Sequence, residues 1–293
     1  MTLDRPRLAR DAIVRAYSVR GDAGLPLEVP VCVFDLATGM GIDVWFKAAP
    51  RMEGMYCKDP GPAIVVSSLR PAGRQAYTGG HEVGHHVFGH GTRIDELVGP
   101  GGRGSDLEEE FLADCFAGFL LMPKAAVARG FASRGWALAT ATPAQVFTVA
   151  GWLGVGYDAL VTHMHASLKM LNQRQASALR KFTPKKIKSQ LIGRDWAEEL
   201  LIADPHWEGR AFDIQVGDAI LVPPGVIVEH AGLTTVCNTL FNAVLRGVTP
   251  GRGRITDPTT GWAAFVRVSR RGYVGRARFR HLEESDDDDP TDC

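Results

Sequence analysis

The chain is short of cysteine, with five in 293 residues, an odd number and no CxxC spacing. That argues against the disulfide framework of a small secreted domain and suits a reducing compartment. Neither sign of charge is in excess, with 33 Lys plus Arg against 33 Asp plus Glu. Zero net charge supplies no global pull toward nucleic acid or an anionic membrane, so any such pull must be local. No run approaches the ~18 consecutive apolar residues of a membrane span. The opening MTLDRPRLARDAIVRAY lacks the apolar centre of a signal peptide. The expectation is a soluble, cytoplasmic protein. What the chain does have is 45% hydrophobic residues, which permits a sizeable core and excludes wholesale disorder. Its length admits one large domain or two to three modest ones.

Apolar periodicity predicts a helix over 4–20 and a short one over Val31–Ala37, where β-branched Val31 and Val33 leave strand as the rival. Three short strands follow at Ile42–Lys47, Met52–Cys57 and Ala63–Ser68, punctuated by Gly54, Asp59–Pro62 and Pro71. A helix then runs from Gln75 to about Gly89. Residues 89–105 are glycine-rich and read as a loop, with Ser105 or Asp106 capping a helix that runs to about Met122. Beyond Thr142 the pattern becomes helix, Leu-Gly-Val-Gly turn, helix. Ala150, Leu153, Gly154, Val155, Ala159 and Leu160 follow helix-turn-helix spacing. Yet Tyr157–His165 offers no Arg, Asn, Gln or Lys to read base edges, so a structural helical module is favoured. His163 and His165 read as surface residues, with an oxyanion-stabilising role in the cleft as the alternative.

From Ala166 to Arg194 there are eight basic residues and no acidic one, a stretch able to touch phosphate. After Asp204–Pro205 come short strands. VGDAILVPPG reads as strand-turn-strand, and Trp262–Phe279 as a basic hairpin around Arg271–Gly272. Residues 283–293 form an acidic tail, read as solvated and disordered.

The chemistry concentrates in HEVGHHVFGH, His81 to His90. His81-Glu82-Val83-Gly84-His85 is an HExxH motif. On a helix its two histidines, at i and i+4, share a face and can bind one Zn²⁺. Glu82 then projects beside the metal as the general base and acid of a hydrolase. A third protein ligand is needed. His90, nine residues after His81, is half a turn out of phase, and His86 points about 100° from His85. The better third ligand lies in EEEFLADCFAGFLLMP, Glu108 to Pro123. Glu110 and Asp114 are again i and i+4. A crossing helix would bring Glu110 to the metal and let Asp114 accept a hydrogen bond from a ligand histidine, the ExxxD arrangement of gluzincins. Glu108 and Glu109 read as ordinary acidic residues of a helix start. Val83, Val87, Phe88, Phe111, Phe116, Phe119, Leu120 and Leu121 read as core, as does Tyr77. Cys115 reads as a buried small residue.

HEVGHHVFGH followed by ExxADxFAxxLLMP resembles the ImmA/IrrE family of metallopeptidases, over about residues 10–165. Gly41–Val44, EGMY at Glu53–Tyr56 and the strand ending VVSS fit the same resemblance. In that family Glu110 corresponds to the third ligand. Position 114 is commonly Asn but is Asp here, and Leu112 stands where an acidic residue is usual. The resemblance implies cleavage of a helix-turn-helix repressor in a stress or mobile-element response.

The resulting expectation is an α+β protein. A zincin-like peptidase domain (1–135) precedes a helix-turn-helix-like module (136–200), a β-rich domain (201–282) and the tail (283–293). His81, His85 and Glu110 hold zinc, Glu82 is catalytic, Asp114 supports a ligand, and the substrate lies in a cleft beside Ala63–Ser68 with edge-strand pairing there. The partner is a protein substrate, with DNA as the lesser alternative and no membrane. The rival function is a non-catalytic zinc-containing regulator that binds DNA or a partner protein.

Overall fold

The first helix, α1 (Arg5–Asp22), begins where the Asp4 carboxylate accepts a hydrogen bond from the Arg7 amide. It belongs to a computed structural model that describes residues 3–96, 107–207, 211–229, 232–238 and 242–282. The proposed caps Ser105 and Asp106 and the acidic tail lie outside the described residues. The short segment after Pro30 is helical, α2 (Val33–Gly39), which settles the helix–strand rivalry there.

Strands β1 (Asp43–Lys47), β2 (Met52–Cys57) and β3 (Ala63–Ser67) lead into α3 (Ala72–Phe88), which ends where Gly89 takes a left-handed conformation at φ 70°. The expected loop after it contains a strand, β4 (Arg93–Glu96). Helix α4 (Leu107–Leu121) stops before Pro123, and α5 (Lys124–Ala132) follows. Residues 108–132 are, as a stretch, long and apolar enough to cross a membrane, contrary to the sequence expectation. Most of that stretch is buried inside the protein, where α4 packs against both α1 and α3.

The next helices carry their caps in sequence. In α6 (Pro143–Leu153), Thr142 and Gln145 form a reciprocal capping box and Gly154 closes the helix at φ 74°. Helices α7 (Tyr157–Ala166), α8 (Gln173–Leu179) and α9 (Pro184–Ile192) complete the module. The remainder is strands: β5 (Leu200–Ile202), β6 (Ala211–Gln215), β7 (Ala219–Val222), β8 (Ile227–Glu229), β9 (Leu233–Asn238), β10 (Ala243–Gly247), β11 (Gly251–Thr256), β12 (Ala263–Ser269) and β13 (Gly275–Arg276). The α+β class is the one the sequence implied.

Strand neighbours are less obvious. The first sheet has the order β13-β1-β3-β2-β4, with β1 and β3 parallel and the other pairs antiparallel. The other two sheets run β5-β7-β10-β9 and β6-β12-β11-β8. Three expectations change. Strand β3 is flanked on both sides, so Ala63–Ser67 offers no free edge to a substrate. VGDAILVPPG holds one strand and a turn, the next strand, β8, starts just beyond it, and β7 and β8 enter different sheets. The anticipated basic hairpin does not form, because β12 pairs with β6 and β11, whereas β13 crosses back to pair with β1.

Candidate metal centre

Two helices build the centre, and small residues let them approach. Gly80 and Gly84 of α3 face Ala117 and Ala113 of α4. A Cβ on Gly84 would lie 3.0 Å from the Ala113 Cα, and one on Gly80 3.3 Å from the Ala117 Cβ. This close crossing carries Glu110, one turn before Asp114 on α4, to the histidine face of α3.

The His81 and His85 Nε2 atoms are 2.9 Å apart. The Glu110 carboxylate meets them, with Oε2 3.3 Å from His81 Nε2 and Oε1 3.7 Å from His85 Nε2. All three donor atoms lie within 4.8 Å of one another. Two nitrogens bound at 2.0–2.1 Å in a tetrahedral site are separated by about 3.3 Å, so the imidazoles stand within a few tenths of an ångström of ligand spacing. The donor set fits a divalent cation with an N/O preference such as zinc, and the sequence-expected triad is brought together.

Both imidazoles are held from behind. His81 Nδ1 donates to Asp114 Oδ1 at 3.1 Å, the contact expected of Asp114. Tyr77 fixes the same turn of α4 by donating its hydroxyl to the Asp114 carbonyl at 3.1 Å. His85 Nδ1 lies 2.8 Å from the Nδ1 of His90, which is buried and stacked on Phe88. His90 is thus neither a ligand nor a bystander, because it orients His85. Helical phase arithmetic misses it because the helix ends at Gly89, whose left-handed turn folds the next residue back. His86 points away from the centre, as expected, and its Nδ1 accepts from the Tyr56 hydroxyl at 3.0 Å.

Glu82 is fully buried, with its carboxylate against β2 at Gly54. A Cβ on Gly54 would lie 2.4 Å from Glu82 Oε1 and 2.4 Å from Thr78 Cγ2. Glycine at 54 is therefore what leaves room for the carboxylate. The centre opens into a cleft of about 1380 Å³ that reaches Arg74 and Tyr77 on one side and Asp213 and Arg267 on the other.

Other expectations need correction. Cys115 is half-buried and lines the cleft, its thiol pushed up to about 11 chiefly by burial. Phe111 is also half-exposed there, under the Arg5 guanidinium. Val83, Phe116, Phe119, Leu120 and Leu121 are core, as expected. His163 is not a surface residue. It is buried, packs edge-on against Phe119 and donates Nε2–H to the Met122 carbonyl at 3.2 Å.

Burial brings the His163 pKa down to about 4, against a smaller raising effect of the Met122 hydrogen bond. The unfolded chain then takes up its proton before the folded one. The stability that neutral His163 contributes is complete above ~6.5 and is lost as pH falls from there toward about 4. His163→Gln is expected to remove that component. Between pH 7 and pH 4 the wild type should lose roughly 2–3 kcal/mol more than the variant. Urea unfolding of the metal-free proteins at the two pH values measures this, and equal losses would contradict it.

The sequence model of peptidase family M78, described as the IrrE N-terminal-like domain, matches residues 37–165. A comparison with curated proteins gives no match. The matched segment contains the HExxH helix, the Glu110 helix and strand β2, against which Glu82 lies. Residues 37–165 are thus similar to the IrrE N-terminal-like domain of that peptidase family, the resemblance that the motifs had implied.

Proposed function

We propose that this chain is a zinc-dependent endopeptidase that hydrolyses a peptide bond in a protein substrate, a helix-turn-helix repressor, and thereby triggers a stress or mobile-element response. The observation that carries the catalytic part is the convergence of His81, His85 and Glu110 beside the buried Glu82. The family resemblance supports the repressor as substrate. Among the described residues, three protein donors converge. Structural zinc sites usually close with four, whereas catalytic ones keep a position open. That difference disfavours a non-catalytic regulator.

His81, His85 and Glu110 would hold the ion, which when bound supplies a Lewis acid and lowers the pKa of water toward neutrality. Glu82 takes the proton of the attacking water and returns it to the departing amine, so no proton is left over. Asp114 and His90 keep the two imidazoles in the tautomer that turns Nε2 toward the shared centre. A substrate strand would add at β4 rather than β3. Strand β4 pairs only with β2 among the described residues, and its Asp95 is in register with Gly54, against which Glu82 lies.

The test loads the purified protein with zinc, measures the stoichiometry, and incubates it with repressors encoded beside it. The expected result is about one zinc per chain, cleavage of one repressor at a single bond, and loss of cleavage on chelation with recovery on zinc return. Stoichiometric zinc without cleavage of any neighbouring repressor would overturn the substrate assignment. Failure to bind zinc would overturn the whole reading.

A further inference from the structure

Helix α7 holds the place of a recognition helix, but its start is not free to enter a groove. Gly156, its N-cap, packs against Gly73 of α3 so closely that a Cβ on Gly73 would lie 2.6 Å from the Gly156 nitrogen. Base readout through α7 is blocked, in line with its lack of base-reading side chains. The charge lies further along. Arg174, Arg180, Lys181, Lys185 and Lys186 are all exposed and occupy α8, α9 and the turn between them. None of the five forms an ion pair among the described residues. Arg180 reaches only the Thr162 hydroxyl, at 3.4 Å, and Lys186 lies over the Phe182 ring. By contrast, Lys188 on the same helix is buried and paired with Glu199.

Two of the five stand where the helix itself disfavours them. Lys185 and Lys186 occupy the first turn of α9, after its N-cap Thr183, where the macrodipole is positive and acidic side chains are preferred. Of the first amides of that turn, Pro184 supplies none, the Lys186 N–H is taken by the Thr183 hydroxyl and the Ile187 N–H by the Thr183 carbonyl, which leaves only that of Lys185. Exposed cations gathered around a helix start, with no acidic side chain paired to them among the described residues, favour an anion.

The surface also narrows the kind of anion. Among the described residues, no large hydrophobic side chain between 166 and 194 is exposed. A membrane-lying helix needs such side chains to insert, and a protein interface needs an apolar centre. Phe182, the one aromatic residue of the segment, is half-buried and covered by Lys186, so no stacking platform for single strands is present. A regular lattice of phosphates needs none of these.

We propose that the surface formed by α8, α9 and their connecting turn binds the phosphate backbone of duplex nucleic acid without reading its sequence. The binding is separate from the metal centre, and the test does not depend on peptidase activity.

The test uses fluorescence anisotropy of a labelled duplex DNA of about 20 base pairs and mixed sequence, starting at ~50 mM salt. It compares the full chain with Lys181→Gln/Lys185→Gln/Lys186→Gln and with a control, Arg10→Gln/Arg15→Gln/Arg51→Gln, that removes three exposed cations elsewhere. Expected for the wild type is a slope of log K on log salt of about −4. The lysine triple variant should bind at least about tenfold more weakly, with the slope reduced in magnitude by about 2.7, and the control should bind as wild type. Unchanged thermal melting of the variants verifies folding. Four results would overturn the proposal: no binding at the lowest salt, equal weakening by the control, equal affinity for a single strand of the same length, or equal displacement by polyglutamate at matched charge. The last would assign the surface to acidic proteins.

Discussion

Glu82→Gln is expected to keep the metal and lose the reaction. The amide has nearly the shape of the carboxylate, so it fits the space left by Gly54 and leaves His81, His85 and Glu110 undisturbed. What it lacks is basicity. General acid–base groups contribute about 10²–10⁴-fold to rate, and Glu82 serves both halves of the cycle, so kcat should fall toward the upper part of that range. Because the residue is wholly buried, bulk solvent has little access with which to replace it. The measurement pairs zinc stoichiometry with single-turnover cleavage of the repressor substrate. Full zinc with cleavage at wild-type rate would remove Glu82 from the mechanism. Zinc lost together with activity would show that Glu82 maintains the centre rather than acting as its base.

The metal centre was legible because its information is local. HExxH fixes two ligands by helical phase alone, and Glu110 with Asp114 repeats the same i, i+4 logic on a second helix. The close crossing that joins them was also present in the sequence, as Gly80 and Gly84 opposite Ala113 and Ala117, although only the structure shows these residues facing each other. What escaped depends on contacts between distant segments. Period-two alternation tells which face of a strand is buried but not which strand lies beside it. Strand β3 did carry a hint. Its Ile64-Val65-Val66-Ser67 run is buried without alternation, the pattern of a strand covered on both faces. Strand β4 has only four residues inside a glycine-rich stretch, too few for periodicity to register. His90 was missed for a different reason, since phase rules apply only while a helix continues.

The C-terminal strands show the same limit more strongly. Parallel pairing of β5 with β7, and of β6 with β12, joins segments whose sequences carry no mark of each other. Strand β13 joins the first sheet and its arginine packs over Trp45, so the peptidase sheet includes a strand far beyond the matched segment. Asp213 of β6 sits where these parts meet. It receives Arg267 and Arg280, and both arginines also approach Asp35 of α2. Burial alone would raise the Asp213 carboxyl, but the two guanidiniums hold it below the ordinary carboxylate range. Helix α2, which leads into the matched segment, is thus held by side chains from the other end of the chain.

The largest stability effect is expected at the opposite end, also outside the matched segment, from Arg20→Ala. Arg20 is the last turn's only basic residue in α1 and is completely buried. Its guanidinium donates to the Leu120 carbonyl of α4 at 2.7 Å, to the Pro26 carbonyl at 2.6 Å, and to the Val29 carbonyl. The Leu120 carbonyl is one of the last of α4 and has no intrahelical amide ahead of it. Alanine would leave three inward-facing carbonyls without this donor and open a void the size of the lost side chain. Each unsatisfied group costs about 1–3 kcal/mol, and partial relaxation or water entry limits the sum to about 3–5 kcal/mol. For a protein of this size that corresponds to a fall in Tm of about 10 °C. Arg20→Lys keeps the charge but reaches fewer acceptors, and should recover only part of the loss. Because α4 carries Glu110, zinc should raise the Tm of both variants, by an amount set by its concentration relative to Kd. Calorimetry with and without zinc checks the prediction. A fall of less than about 1 kcal/mol in Arg20→Ala would mean that the three carbonyls find water as readily as they find the guanidinium.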